Sequence, residues 1–311
     1  MKITTLQKIM DPFRTEVVLR PEHGGKGSWV GAPAACYSRD EGCFYLLVRF
    51  RSEGVRGYMT ALYKTENGLK LEKVMTLHAS SIGARSIERG TLKKAANTWK
   101  LYLSYEDLRD GLWKIALAEK RDITEIRAND FEVILEGRDI EAAWVKDPVL
   151  FENMLFVHTK EPSGKAAYLL RKREGKLARS DHKRTKVRWE KIKVLSDKHE
   201  WDSYCSRITS IIKSPNGFFA FYDGASSIKE NQEEKTGLAY GKSIECLESI
   251  TPDGPLLTGP TGSGSIRYVE IKEIENKFYI WYEMSTEDLS HELRFITVPK
   301  QEFVKALRES L

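Results

Sequence analysis

Cysteine is scarce: Cys36, Cys43, Cys205 and Cys246 are the four in a chain of 311 residues. None forms a Cys-x-x-Cys pair or has a histidine at ligand spacing, so the thiols are expected to be reduced and packed as small hydrophobes. No apolar run approaches the roughly 18 to 20 residues of a membrane helix. Residues 1–13 lack an apolar signal region and a small-residue cleavage site, which gives the expectation of a cytoplasmic protein with no membrane partner. One-sided charge is missing too, since 50 Lys plus Arg against 45 Asp plus Glu leave +5. That excess alone says little about partners. Helix signals are almost absent; Phe303, Val304, Leu307 and Leu311 fall on one stripe and predict a short outer helix over 300–311.

What the chain has is apolar and aromatic material. It is 41% hydrophobic with 12 Phe, 13 Tyr and 7 Trp, which excludes intrinsic disorder and a disulfide-stapled miniprotein. Five segments share a turn signal followed by an aromatic strand: 43–51 (CFYLLVRFR), 99–107 (WKLYLSYED), 153–161 (NMLFVHTKE), 217–225 (GFFAFYDGA) and 276–284 (NKFYIWYEM). Aligned on Tyr45, Tyr102, Phe156, Phe219 and Tyr279, they recur every 54 to 63 residues. Each follows a shorter strand-like run (32–37, 90–94, 148–152, 208–213 and 266–272), and the pair reads as a hairpin. Further alternating stretches such as 58–63 and 114–118 bring each repeat to four strands, the period of a propeller blade. The expected fold is an all-β, five-bladed β-propeller in one domain, with blades at 28–80, 84–138, 141–196, 201–252 and 260–299 and a C-terminal helix at 300–311. A twin β-sandwich would not sustain one spacing from Tyr45 to Tyr279.

In a propeller the start of each innermost strand and the end of the next meet on one face, around the axis. Those positions are Trp29, Gly31, Arg49 and Arg51 in the first repeat, and Glu88, Arg89, Glu106 and Asp107 in the second. The third contributes Lys146, Asp147, His158 and Lys160; the fourth Asp202, Ser203, Arg207, Tyr222 and Asp223; the fifth Ser263, Ser265, Arg267, Tyr282 and Glu283. Turn-adjacent positions are polar in any β-protein. Even so, Glu88, Lys146, Asp147 and Arg207 adjoin strand residues that should be buried, and convergent charges in a concave site have perturbed titrations.

Three segments resemble the five-bladed propeller glycosidases, the broad group holding glycoside hydrolase families 43, 32 and 130. Gly31-Ala32-Pro33-Ala34-Ala35 with Tyr45-Leu46-Leu47-Val48-Arg49-Phe50-Arg51 is similar to the first blade of the mannoside phosphorylases. Ile87-Glu88-Arg89-Gly90-Thr91-Leu92 stands in place of that family's Glu-Asp-Pro-Arg segment, and Lys146-Asp147-Pro148-Val149 resembles the Asp-Pro strand starts of the wider group. Phe221-Tyr222-Asp223-Gly224 with Glu233-Glu234-Lys235-Thr236-Gly237 resembles an uncharacterised branch. Two departures stand out: Arg89 replaces an expected Asp, and Gly31-Ala32-Pro33 lacks the hydrolases' Asp.

The resemblance implies a carbohydrate-active protein with a carbohydrate ligand, expected first as a glycoside hydrolase working through carboxylates of the axial pocket, with an inverting phosphorylase or a noncatalytic glycan-binding propeller as the alternatives. Hydrolysis needs two carboxyl groups about 5 to 5.5 Å apart for retention or 6.5 to 9.5 Å for inversion. Asp147 is the expected catalytic residue, with Glu88 or Asp202 as partner; the competing expectation pairs Asp147 with Arg89, Lys146 or Arg207 as a buried salt bridge. The expected substrate-binding set is Trp29, Arg49, Arg51, Arg89, Lys146, His158, Arg207, Tyr222, Asp223, Arg267 and Glu283. Arg49, Arg51, Lys146, His158 and Arg207 could instead hold phosphate for phosphorolysis, since guanidinium binds it bidentately. A noncatalytic binder would stack sugar on Trp29, Trp201 or Tyr222. Carboxylates each locked in a salt bridge favour the binder; carboxylates free of basic neighbours favour the enzyme.

No cofactor is expected. Calcium in the channel could use Asp and Glu oxygens, but no spacing demonstrates it. The Gly-rich run 259–265 lacks a phosphate-loop ending and reads as a wide turn. Residues 171–193 carry 11 Lys and Arg against three acids, and are expected as outer strands of the third repeat, where positive charge blocks edge pairing. Nucleic acid is not the expected partner.

Overall fold

The computed structural model describes residues 4–173, 188–195 and 197–311. A short helix, α1 (Thr4–Ile9), and a strand, β1 (Glu16–Leu19), precede a series of antiparallel meanders. The first is β2 (Trp29–Ser38), β3 (Cys43–Ser52), β4 (Arg56–Thr65) and β5 (Glu72–His78). In the second, β6 (Ala84–Ile87) and β7 (Thr91–Ala95) share the partner β8 (Thr98–Asp107), followed by β9 (Trp113–Lys120) and β10 (Glu132–Glu136). The third is β11 (Val145–Phe151), β12 (Met154–Glu161), β13 (Gly164–Arg173) and β14 (Arg188–Lys193). The fourth is β15 (Cys205–Ser214), β16 (Gly217–Ala225), β17 (Lys235–Ser243) and β18 (Cys246–Ser249). In the fifth, β19 (Ile266–Ile274), β20 (Lys277–Ser285) and β21 (His291–Pro299) take their fourth strand from β1, which pairs with β21 through Glu16 opposite Phe295.

Burial explains why the aromatic strands dominate the pattern. Strands such as β3 and β16 are buried on both faces because neighbouring meanders stack on them, so their apolar residues run on almost without alternation. The outer strands β5 and β10 alternate or thin out toward solvent. The leading strands approach one another in a closed cycle, β2 to β7 to β11 to β15 to β19 and back to β2. Single parallel pairs, Trp29 with His291 and Lys165 with Cys205, join adjacent meanders near that axis.

The predicted C-terminal helix is present as α2 (Lys300–Glu309), whose Phe303, Ala306 and Leu307 pack on Phe278 and Ile280 together with Leu6 and Ile9 of α1. The basic stretch 171–193 flanks its expected place, with β13 and β14 pairing as outer strands, while residues 174–187 lie outside those described. Among the described residues no helix is long and apolar enough to cross a membrane.

Candidate functional site at the axis

A bulge sits at the same register in three leading strands, between Gly31 and Ala34, Lys146 and Val149, and Arg267 and Glu270. Ala32, Asp147 and Tyr268 occupy it with positive φ of 48°, 53° and 54°. A non-glycine residue in that region is strained, and a bulge re-aims side chains. This register makes Met154, not Phe156, the third-repeat counterpart of Tyr45 and Tyr279, because Arg49, His158 and Glu283 stand opposite the equivalent residues Gly31, Lys146 and Arg267.

The side chains gathered there form a buried ion network. Arg207 donates to Asp223 from Nη2 (2.7 Å) and Nε (3.1 Å) and to Asp147 from Nη1 (3.2 Å). Arg267 donates to Glu283 Oε1 from Nη2 (2.7 Å) and Nε (3.0 Å). Arg49 Nη2 donates to the other Glu283 oxygen at 2.7 Å, which also accepts the Ala32 amide at 3.0 Å. Gly31 permits this approach, since a Cβ there would lie 2.3 Å from Glu283 Oε2. Glu88 is held more loosely, 3.7 Å from Arg49 Nε and 3.6 Å from Arg51 Nη1. Tyr268 lies among three guanidinium groups, the Arg207 Cζ 3.9 Å from its ring centre, and its amide donates to Asp223. Further along the axis Arg89 Nη2 donates to Glu270 at 2.6 Å, and Glu270 also accepts the Ala35 amide.

These surroundings drive the carboxyl groups apart. Burial alone would raise Asp147, but Lys146, Arg207 and His158 outweigh it and hold the group well below the usual carboxylate range. Burial likewise opposes, and Arg207 and Arg267 overcome, in Glu234, which falls to about 2. At Asp223 burial wins over Arg207, and the nearby Glu234 adds to it, so its value rises to about 6. Burial lowers His158 to about 3 and Lys165 to about 8, the latter helped by Lys146.

The axial mouth is covered by the β16–β17 connection, residues 226–234. Asn231 accepts from Lys165 Nζ of β13 at 2.7 Å, and Gln232 accepts from Arg51 Nη2 of β3 at 3.2 Å. Glu233 meets His291 Nε2 of β21 at 2.9 Å and accepts from Ser263 at 2.5 Å. Glu234 sends its carboxylate inward, 2.5 Å from Arg267 Nη1 and 3.5 Å from Arg207 Nη2. One segment thus touches three other meanders. A cleft of about 540 Å³ beside it is lined by Trp201, Glu230, Glu233 and Lys235.

The sequence-derived positions fall into two groups. Arg49, Arg51, Glu88, Lys146, Asp147, His158, Arg207, Asp223, Arg267 and Glu283 do converge, with register placing Gly31 opposite Arg49, Arg207 opposite Asp223 and Arg267 opposite Glu283. Arg89 joins them deeper, through Glu270. Asp202 does not: it is a turn residue, its carboxylate accepting the His199 amide at 2.6 Å and the Tyr222 hydroxyl at 2.7 Å. Tyr222 is fully buried, its hydroxyl also paired with Ser249, so it offers no sugar-stacking face. Trp29 is buried as well, its ring stacked 4.5 Å from His291 with the Arg51 and Arg267 guanidiniums 4.4 and 4.7 Å away. Asp147 pairs with Lys146 and Arg207, two of the three partners considered for it, and not with Arg89. Tyr268, Glu270 and His291 carry no local sequence signal and are added by the structure. Among the described residues no group of three or more His, Cys, Asp or Glu side chains is arranged to hold a metal ion.

No protein-family model and no curated protein matches the chain. Solved structures do. The GH43_1 enzyme from Xanthomonas citri complexed with xylotriose superposes with TM-score 0.59 at 11% identity, over 96% of this chain and 93% of that one. A thermostable family-43 glycoside hydrolase gives 0.62 at 11% identity, covering 90% and 92%. A family-43 β-xylosidase/α-arabinofuranosidase from a compost microbial metagenome, in complex with xylotriose, gives 0.58 at 11%, covering 91% and 93%. At such identity the likeness establishes the fold, that of the family-43 type propeller glycosidases, and the fold alone.

Proposed function

We propose that this protein is a single-domain, five-bladed propeller that binds a carbohydrate at the axial end bearing Arg49, Glu88, Asp147, Arg207 and Arg267, with its carboxylates serving recognition. The blades are 28–80, 84–138, 141–196, 201–252 and 260–299, the last completed by β1. The observation that carries the reading is that Glu88 and Asp147 each face basic groups, Arg49 and Arg51 for one and Lys146 and Arg207 for the other. A carboxylate neutralised in this way accepts sugar hydroxyls but is a poor proton donor or nucleophile. The neighbours of like fold include enzymes solved with xylotriose, which supports a sugar as ligand class. Four free cysteines fit a cytoplasmic setting.

One observation favours a second reading, hydrolysis. Asp223 rises to about 6 while Asp147 stays far below its usual range, and environments that separate two carboxyl groups assign acid and base roles. A panel of glycans and aryl glycosides, with and without inorganic phosphate, separates the readings. Binding without turnover is expected. Release without phosphate would replace the proposal with a hydrolase, phosphate-dependent release with a phosphorylase, and no binding at all would remove it.

A further inference from the structure

Glu234 occupies the position of a ligand. Its carboxylate bridges two guanidiniums contributed by different meanders, Arg207 of β15 and Arg267 of β19, and is 2% exposed. A carboxylate or a phosphate group is what such a pair of forks recognises. The residues that carry it there are otherwise at the surface: Ile228 is 72% exposed, and Gln232 is exposed. The segment is tethered at Asn231 by Lys165, at Gln232 by Arg51, and at Glu233 by His291 and Ser263.

Charge also asks for an anion at this spot. Around the mouth stand Arg49, Arg51, Lys146, Lys165, Arg207 and Arg267, against Glu88, Asp147, Asp223 and Glu283, with Glu233 and Glu234 of the covering segment as the remaining acids. With that segment lifted the cations outnumber the carboxylates by two. Arg89 and Glu270 pair with each other deeper along the axis and leave that balance unchanged. A second feature points the same way: Arg49 Nε and Nη1 and Arg51 Nε are buried without a hydrogen-bond partner, and Arg49 is 1% exposed. The mouth therefore holds spare cationic donors beside the pair that Glu234 bridges.

We propose that the axial site takes an anionic sugar, one bearing a carboxylate or a phosphate, whose charged group replaces Glu234 between Arg207 and Arg267 when the 226–234 segment lifts. This rests on the carbohydrate reading above and names its ligand class. Glu234 acts as an internal competitor: the ligand's apparent affinity is its intrinsic affinity reduced by the fraction of molecules in which the segment is open.

The test is calorimetric titration of the full chain with xylotriose, trigalacturonate and glucose 6-phosphate, which are neutral, carboxylate-bearing and phosphate-bearing probes. The wild type is expected to bind at least one anionic sugar more tightly than xylotriose, and which one identifies the source of the charge. Glu234→Gln, which keeps the shape and removes the charge, is expected to raise the open fraction and tighten that ligand about tenfold, with any xylotriose bound at the same covered mouth gaining by the same factor. The double substitution Asn231→Ala with Gln232→Ala keeps the arginines and Glu234, and is expected to tighten the same ligand by a smaller factor. It decides the matter if Glu234→Gln does not fold. Anionic-ligand affinity at the wild-type level in the folded variants would overturn the inference. Binding of xylotriose with no binding of either anionic sugar would also overturn it while leaving the carbohydrate reading intact. Failure of all three sugars would remove that reading, and the inference with it.

Discussion

Arg207 Nη1 lies 3.2 Å from Asp147 Oδ2, so the carboxylate at the Asp-Pro strand start is neutralised by a guanidinium from the next meander. The same guanidinium holds Asp223, and both acids are buried. Replacing Arg207 by Met should therefore leave buried carboxylates without their partner and cost about 3 to 5 kcal/mol of stability, read from urea denaturation. A loss below about 1 kcal/mol would mean that the network is not formed as described.

Acid should unfold the protein in stages whose signs follow from the shifts. Glu234 is lowered from 4.5 to about 2, so its contribution is present above 4.5 and is lost as the pH falls through about 2; Asp147 and Glu283 act in the same direction. His158, lowered from 6.5 to about 3, adds a loss that begins below 6.5. Asp223 works oppositely: raised from 3.8 to about 6, it contributes below 3.8 and loses that contribution as the pH rises through about 6. Asp223→Asn should thus compare more favourably with wild type near pH 7 than near about pH 4, measured by denaturation midpoints. The reverse order would contradict the burial-driven rise.

Trp29 is expected to behave as a core residue. Its ring is 1% exposed and touches His291, Arg51 and Arg267. Trp29→Ala should cost about 3 to 5 kcal/mol in stability before any effect on ligand binding is considered. Full stability with selective loss of sugar binding would instead make it a stacking platform.

Gly237 lets the fourth meander close around Trp201. An added Cβ would lie 2.5 Å from Tyr222 Cζ and 2.7 Å from Trp201 Cη2. Gly237→Ala should cost about 1 to 3 kcal/mol and change tryptophan emission as the Trp201 indole is displaced, measured by denaturation followed by fluorescence. An unchanged spectrum and midpoint would show that the slot has slack.

Much of the fold was legible because each repeat carries its own aromatic strand and turn, both local signals. β1 and α1 were not, since Glu16–Leu19 is only four residues long and its partner strand lies at the other end of the chain. The charged ring was legible because strand register puts the start of one strand opposite the end of the next. Asp202 misled because an acid serving a turn looks the same in sequence as one facing a ligand; its partners are the His199 amide and the Tyr222 hydroxyl. Tyr268 was hidden by its bulge and Glu234 by the span of its connection, which reaches Arg267 across meanders. Neither follows from periodicity.

The most direct test of the recognition role keeps binding and chemistry in one vessel: oligosaccharide is titrated into the protein by calorimetry, and the sugars in the same cell are then resolved by chromatography. Saturable binding with the oligosaccharide recovered intact is predicted, both in wild type and in Asp147→Asn, the variant changing affinity and not products. Cleaved sugar from the wild type, absent from the Asp147→Asn cell, would contradict it and make Asp147 a catalytic residue despite Arg207.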